Sequence, residues 1–276
     1  MNLLENLLYG FISGASSFIP VSSYGHQTVF RQIIGQAYRN PLTDLFVHLA
    51  IVLALWICCN TEINMFIKGF SNKRYRSRSR NMPVDRTRTY EIRLLITASV
   101  AMLAVQLFCT IAHKTESNLL LTCLFFICNG VVLYITEHVR QSNKEARHMT
   151  GLNAIVMGLF SGLGIFPGIS RVGAGMSMAI MQGADKSKAL KWMLIISVPA
   201  VSVLACFDFV NIFTATGFSF SFIALLGGLL SAAGAFLGAY TSILLMRFVI
   251  VNSGFVGFAC YSWGMAMLTF ILYLIA

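Results

Sequence analysis

Six stretches of this chain run for about twenty residues, the length an α-helix needs to cross a bilayer, with scarcely a charge inside them. They are Leu42–Cys59 (reaching Ile67 at its longest), Ile92–Ala112, Leu119–Thr136, Ala189–Phe207, Phe220–Phe248 and Phe255–Ile275. Such runs commit the backbone to helices, because hydrocarbon offers no partner for an N–H or C=O that the fold leaves free. A soluble domain needs roughly 25% charged residues to build a polar surface; here 11% are charged and 57% hydrophobic. The chain therefore reads as an all-α integral membrane protein, a single membrane domain over 1–276.

Two further apolar stretches are broken. The stretch 3–30 is interrupted by Gly10, Gly14, Pro20 and Gly25, and 155–181 by Gly158, Gly162, Gly164, Pro167, Gly168 and Gly173. Proline and clustered glycine inside such a stretch predict two short helices meeting at a turn, a re-entrant hairpin, tolerated at membrane depth where protein surrounds it. The breaks look alike: Pro20 matches Pro167 and Ser23 matches Ser170. The order is thus hairpin plus three spans, twice. An odd number of spans per half gives the halves opposite orientation, an inverted repeat with its site expected near the midplane. The first repeat covers 1–136, with spans at 42–67, 92–112 and 119–136. A linker at 137–151 leads to the second repeat, 152–276, with spans at 189–207, 220–248 and 255–275.

Charge orients the whole. Nine basic residues lie between Lys68 and Arg93, three more at Arg140, Lys144 and Arg147, and three at Lys186, Lys188 and Lys191. These 15 of the 20 basic residues fall on one side of the predicted topology, which makes that side cytoplasmic. Basic charge confined to gaps between apolar runs excludes a nucleic-acid reader, whose charge covers a folded polar surface. The seven cysteines all sit in apolar segments and read as small buried hydrophobes. The apolar start has no basic leader, so no cleaved signal peptide is expected.

The hairpin tips carry the expensive groups: Ser22, Ser23, His26 and Gln27 at one, Ser170 and Arg171 at the other. An arginine at membrane depth is functional by default, and its planar fork suits phosphate oxygens. A half-helix beginning near Ser22 or Ser170 adds free N–H groups and a positive dipole end. Together these predict a phosphate-binding pocket. Asp44 and His48 lie one helical turn apart on the first span; they can pair with each other or face that pocket.

The tips also resemble a known family. Residues 13–26, reading SGASSFIPVSSYGH, and 167–173, reading PGISRVG, are similar to the two signature motifs of the undecaprenyl-pyrophosphate phosphatase, or bacitracin-resistance, family. Their consensus is approximately EGxxEFLPISSxGH and PGTSRSG. The resemblance implies removal of the terminal phosphate from undecaprenyl diphosphate during cell-wall lipid recycling, in the cytoplasmic (inner) membrane of a bacterium. It implies phosphate binding by Arg171 and Ser170 with Ser22 and Ser23 beside them, and His26 as nucleophile or proton donor. In the family, two glutamates serve as base and help to hold a divalent cation, Mg2+ or Ca2+. Here Ser13 and Ser17 stand in their places, and a hydroxyl is neither a good proton acceptor nor a strong ligand for a hard cation. Asp44 is the substitute acid if the first span packs on the hairpin.

Two functions follow. One is a phosphatase of polyprenyl diphosphate with rearranged acid/base groups around His26 and Arg171. The other is a binder or flippase of polyprenyl phosphate using the same pocket. The partners are polyprenyl (di)phosphate and membrane lipids, with oligomeric assembly left open.

Overall fold

Local rules set where the helices start and stop. Asn2 accepts from the Glu5 N–H while the Glu5 carboxylate accepts from the Asn2 N–H, both at 2.8 Å, a capping box that opens α1 (Leu3–Phe18). A proline pushes the residue before it out of the α region, and Ile19, extended at φ −81°, ends the helix. Past Pro20, Ser22 caps α2 (Ser23–Ile33), its hydroxyl accepting from the Gly25 N–H at 3.2 Å. Then come α3 (Pro41–Cys58), α4 (Arg86–Gln106), α5 (Cys109–Thr115) and α6 (Leu119–His138). The second broken stretch repeats the first. Helix α7 (Gly151–Gly162) runs through a 3-10 turn to Phe166, extended before Pro167. Ser170 then caps α8 (Arg171–Met181), accepting from the Gly173 N–H at 3.0 Å. The chain closes with α9 (Lys186–Thr214), α10 (Phe222–Asn252) and α11 (Val256–Ile275).

The computed structural model describes residues 1–36, 39–64, 67, 86–139, 149–214, 221–252 and 254–275. Among these, every regular element is helical, and α3, α6, α9, α10 and α11 are long and apolar enough to cross a membrane. The expected span Ile92–Ala112 differs. Its helix starts at Arg86 and ends at Gln106, and a separate short helix, α5, follows. Helix α4 begins with a charged stretch and is not among the described helices that are long and apolar enough to cross a membrane. Arg86, Arg88 and Arg93, read as loop, belong to the first turns of α4. The rest of the basic loop and most of the 137–151 linker lie outside the described residues.

Small residues let the backbones approach closely. Helix α1 packs on α10 and α7 on α4. A Cβ added at Gly10 would come within 1.9 Å of the Ser231 carbonyl oxygen, and one at Gly158 within 2.1 Å of that of Ala98. Helix α10 also packs on α3, α4 on α9, α3 on α9, and α6 on α11. The outer faces stay apolar, with Leu229, Leu244, Phe248, Leu268 and Ile271 exposed, as a lipid-facing surface requires.

Candidate functional site

The two turns meet, and one side chain clamps them. Asn129, buried on α6, donates from Nδ2 to the Pro20 carbonyl at 3.1 Å and to the Ser262 hydroxyl at 3.0 Å. Its Oδ1 accepts from the Ser170 N–H at 2.9 Å. The Ser22 hydroxyl also accepts from the Gly168 N–H, at 3.0 Å, so it bridges both turns. Among the described residues Ser22 is the one non-glycine with positive φ, 71°, a strained conformation held by these contacts. A side chain at Gly25 would strike the Phe126 ring and the Gly168 nitrogen, so glycine is what lets the turns touch. The sequence match pairs Ser23 with Ser170, but Ser22 is the residue that caps as Ser170 does.

Beside this junction lies a narrow cavity lined by Ser17, Ser23, His48, Ser170 and Arg171, among others. Its volume, about 20 Å³, is near the minimum for one water. Arg171 Nε is buried with no hydrogen-bond partner, and among the described residues no carboxylate lies within ion-pair distance of its guanidinium. A buried donor without a partner is costly, and here the half-buried guanidinium opens onto hydroxyls and the first turn of α8. This is the chemistry of a phosphate site.

The positions of the family glutamates do not fit a divalent cation. Ser13 donates its hydroxyl to the Tyr9 carbonyl and Ser17 to that of Ser13, each at 2.6 Å. Both are thus engaged with their own helix. No group of three or more His, Cys, Asp or Glu side chains converges among the described residues.

Of the other candidates, Ser22, His26 and Asp44 do not line the cavity. His26 turns toward α11. Its Nδ1 lies 2.6 Å from the Ser22 carbonyl, its Nε2 2.8 Å from the Tyr261 hydroxyl, and its ring stacks on Tyr261. Asp44 receives the Tyr9 hydroxyl at 2.6 Å and Arg39 Nε at 2.7 Å. Arg39 in turn meets Glu116 at 3.0 Å, and Glu116 pairs with Arg31. Tyr9 and Gln27 connect Asp44 to Ser23. Asp44 and His48 do not pair with each other. His48 instead pairs with Asp208 on α9, Nδ1 to Oδ2 at 2.5 Å.

Sequence reasoning missed Asp208, Asn129, Tyr9, Arg39 and Glu116. Asp208 sits one residue past the apolar run that ended at Phe207, and the helix continues to Thr214. Val201 and Leu204, which line the cavity, stand seven and four residues before it on one helical face. That spacing was the available signal. Asn129 is one polar residue in an apolar span, a pattern that marks burial without naming a partner.

The family described as bacitracin resistance protein BacA matches this chain over residues 6–268. Similar proteins include an undecaprenyl-diphosphatase of Treponema denticola, 28% identical, the match covering 95% of this chain and 94% of that one. Undecaprenyl-diphosphatase 1 of Shouchella clausii is 26% identical over 98% of this chain and 96% of its own. Undecaprenyl-diphosphatase 3 of Bacillus cereus is 27% identical over 99% and 98%.

Proposed function

The chain belongs to the bacitracin resistance protein BacA family, and from that premise we propose that it binds a polyprenyl diphosphate within the membrane and hydrolyses it to the monophosphate carrier of cell-wall lipid recycling. One observation carries the reading: the half-buried Arg171 has its Nε buried with no acceptor among the described residues, and its side chain opens onto a cavity of hydroxyls. Its fork would hold the terminal phosphate oxygens, with Ser23 and Ser170 beside it, and would stabilise the charge that develops as the bridging bond breaks. The cavity is smaller than a phosphate, so its wall must move to admit one. Purified protein should release orthophosphate from farnesyl diphosphate, assayed with and without magnesium.

A second reading, a binder or flippase that does not hydrolyse, is favoured by the engagement of Ser13 and Ser17 with their own helix. Farnesyl diphosphate bound but not cleaved under either condition would select it.

The inverted repeat, 1–136 against 152–276 across the linker 137–151, is part of the proposal. Exchanging α1 with α7, α3 with α9, α4 with α10 and α6 with α11 turns the α1–α10 contact into α7–α4 and α3–α10 into α9–α4. The α3–α9 and α6–α11 contacts map onto themselves. This supports two halves of opposite orientation with the hairpins re-entrant. The proposed place is the bacterial cytoplasmic membrane, with the Lys186–Lys191 end inside. In a background without native cysteines, Ser187→Cys should resist an impermeant thiol reagent in intact cells while Ser117→Cys labels; neither serine is buried. The reverse pattern would invert the topology.

A further inference from the structure

The hydrolysis needs a proton acceptor, and neither motif serine can serve. We propose that His48, oriented by Asp208, is that acceptor. The proposal rests on the hydrolase reading above.

Three observations point to it. First, His48 lines the cavity that holds Arg171, and the other lining groups are serines, Tyr24, Gln27, Gly164, Arg171 and aliphatic side chains. Of these, the imidazole is the one group that carries a basic ring nitrogen with a lone pair to receive a proton. Second, its tautomer is set. The Asp208 carboxylate can only accept, so His48 Nδ1–H donates to Oδ2 at 2.5 Å and Nε2 is left bare. Nε2 lies on the side of Tyr24, whose hydroxyl stands 3.5 Å away, at the far end of hydrogen-bond range. Third, the alternatives are engaged. His26 donates from Nδ1 to the Ser22 carbonyl, so its accepting nitrogen already faces the Tyr261 hydroxyl. Asp44 receives both Tyr9 and Arg39.

A histidine and an aspartate, both buried, on two helices that pack at the centre of the fold, thus form a base and its orienting group. The logic is that of a carboxylate holding a catalytic imidazole in one tautomer. Asp208 is a positioning residue and makes no contact with substrate.

The step balances without metal or redox chemistry. The oxygen of a water molecule bonds to the terminal phosphorus while one of its protons passes to His48 Nε2. The bond from that phosphorus to the bridging oxygen breaks, and its electron pair remains on the bridging oxygen of the departing prenyl monophosphate. The imidazolium then returns its proton to a phosphate product, and the neutral tautomer is restored.

The test compares the parent, His48→Gln and Asp208→Asn with farnesyl diphosphate as substrate, rates being taken per folded molecule. Gln at 48 can still donate to Asp208 but cannot serve as base. Asn at 208 keeps the size of the side chain but removes its charge and no longer selects the tautomer. Both variants should lose about 10²–10⁴-fold in kcat with KM for farnesyl diphosphate unchanged, and Asp208→Glu should recover part of the loss. A pair that merely joins α3 to α9 would lower thermal stability and leave kcat of the folded fraction intact. Should only one variant fold, its split between kcat and KM decides. Turnover by His48→Gln or Asp208→Asn within about threefold of the parent, an interval well short of a lost acid/base group, overturns the assignment while the hydrolase reading stands. A parent that binds without cleaving overturns the hydrolase reading, and this inference with it.

Discussion

Replacement of Arg171 by alanine is expected to remove phosphate recognition while leaving the fold as stable as before, or more so. No acid is paired with this arginine among the described residues, so the substitution strands no partner. It also relieves the burial of a lone Nε donor, a burden of about 1–3 kcal/mol for an unsatisfied polar group. Each charge-assisted hydrogen bond to phosphate contributes about 1.5–3 kcal/mol. Loss of a two-pronged contact should therefore weaken farnesyl diphosphate binding by roughly 3–6 kcal/mol on the same basis. Phosphate release should fall at least as far as it does when one oxyanion donor is removed, about 10²–10³-fold. Arg171→Lys keeps the charge without the fork and should fall between parent and alanine. Calorimetric titration and a thermal melt of the three proteins check this together. An alanine variant that binds like the parent would mean that Arg171 is a snorkelling residue and that the cavity is not the phosphate site.

The double substitution Ser13→Glu, Ser17→Glu is expected to make activity depend on a divalent cation. Ser17 lines the same cavity as Arg171, so a carboxylate there has an unpaired guanidinium to reach. Without a cation the two would form an ion pair, occupying the fork that phosphate needs, and binding should weaken. With magnesium the carboxylates have a competing partner, which attracts hard oxygen ligands and neutralises phosphate charge. Phosphate release should then rise by about 10²–10⁴-fold over the cation-free state, the range for a restored acid/base group. Ser13 is fully buried, so Ser17→Glu alone provides the variant with less overpacking. Equal magnesium response in parent and both variants would defeat the idea that these serines removed a metal requirement.

The hairpins are legible in the sequence because proline and glycine act on the backbone next to them. Ile19 and Phe166 are extended because prolines follow, and each helix after the break begins at a serine cap. The spans are legible because length and apolarity alone set what crosses a bilayer. Around Gln106 that rule does not give the helix edges: the charged start of α4 reads as loop, and the helix begins and ends six residues before the apolar run 92–112. Arg171 stands out by its position alone, since a cation in an apolar stretch costs too much to be kept there without a polar partner or ligand.

The membership of the cavity was decided elsewhere. One residue along a helix turns a side chain by about 100°, so the sequence cannot say whether Asp44, His48 or His26 faces Arg171 until the helices dock. Docking gave His48 an aspartate 160 residues away, gave Asp44 to Arg39 and Tyr9, and turned His26 toward Tyr261. Local stereochemistry and hydrophobic length therefore determined, from the sequence by itself, that the chain would make two broken hairpins among membrane spans and lodge an arginine at a break. Only the tertiary structure decided which polar groups share that arginine's cavity, because their partners come from helices whose relative rotation is set by packing.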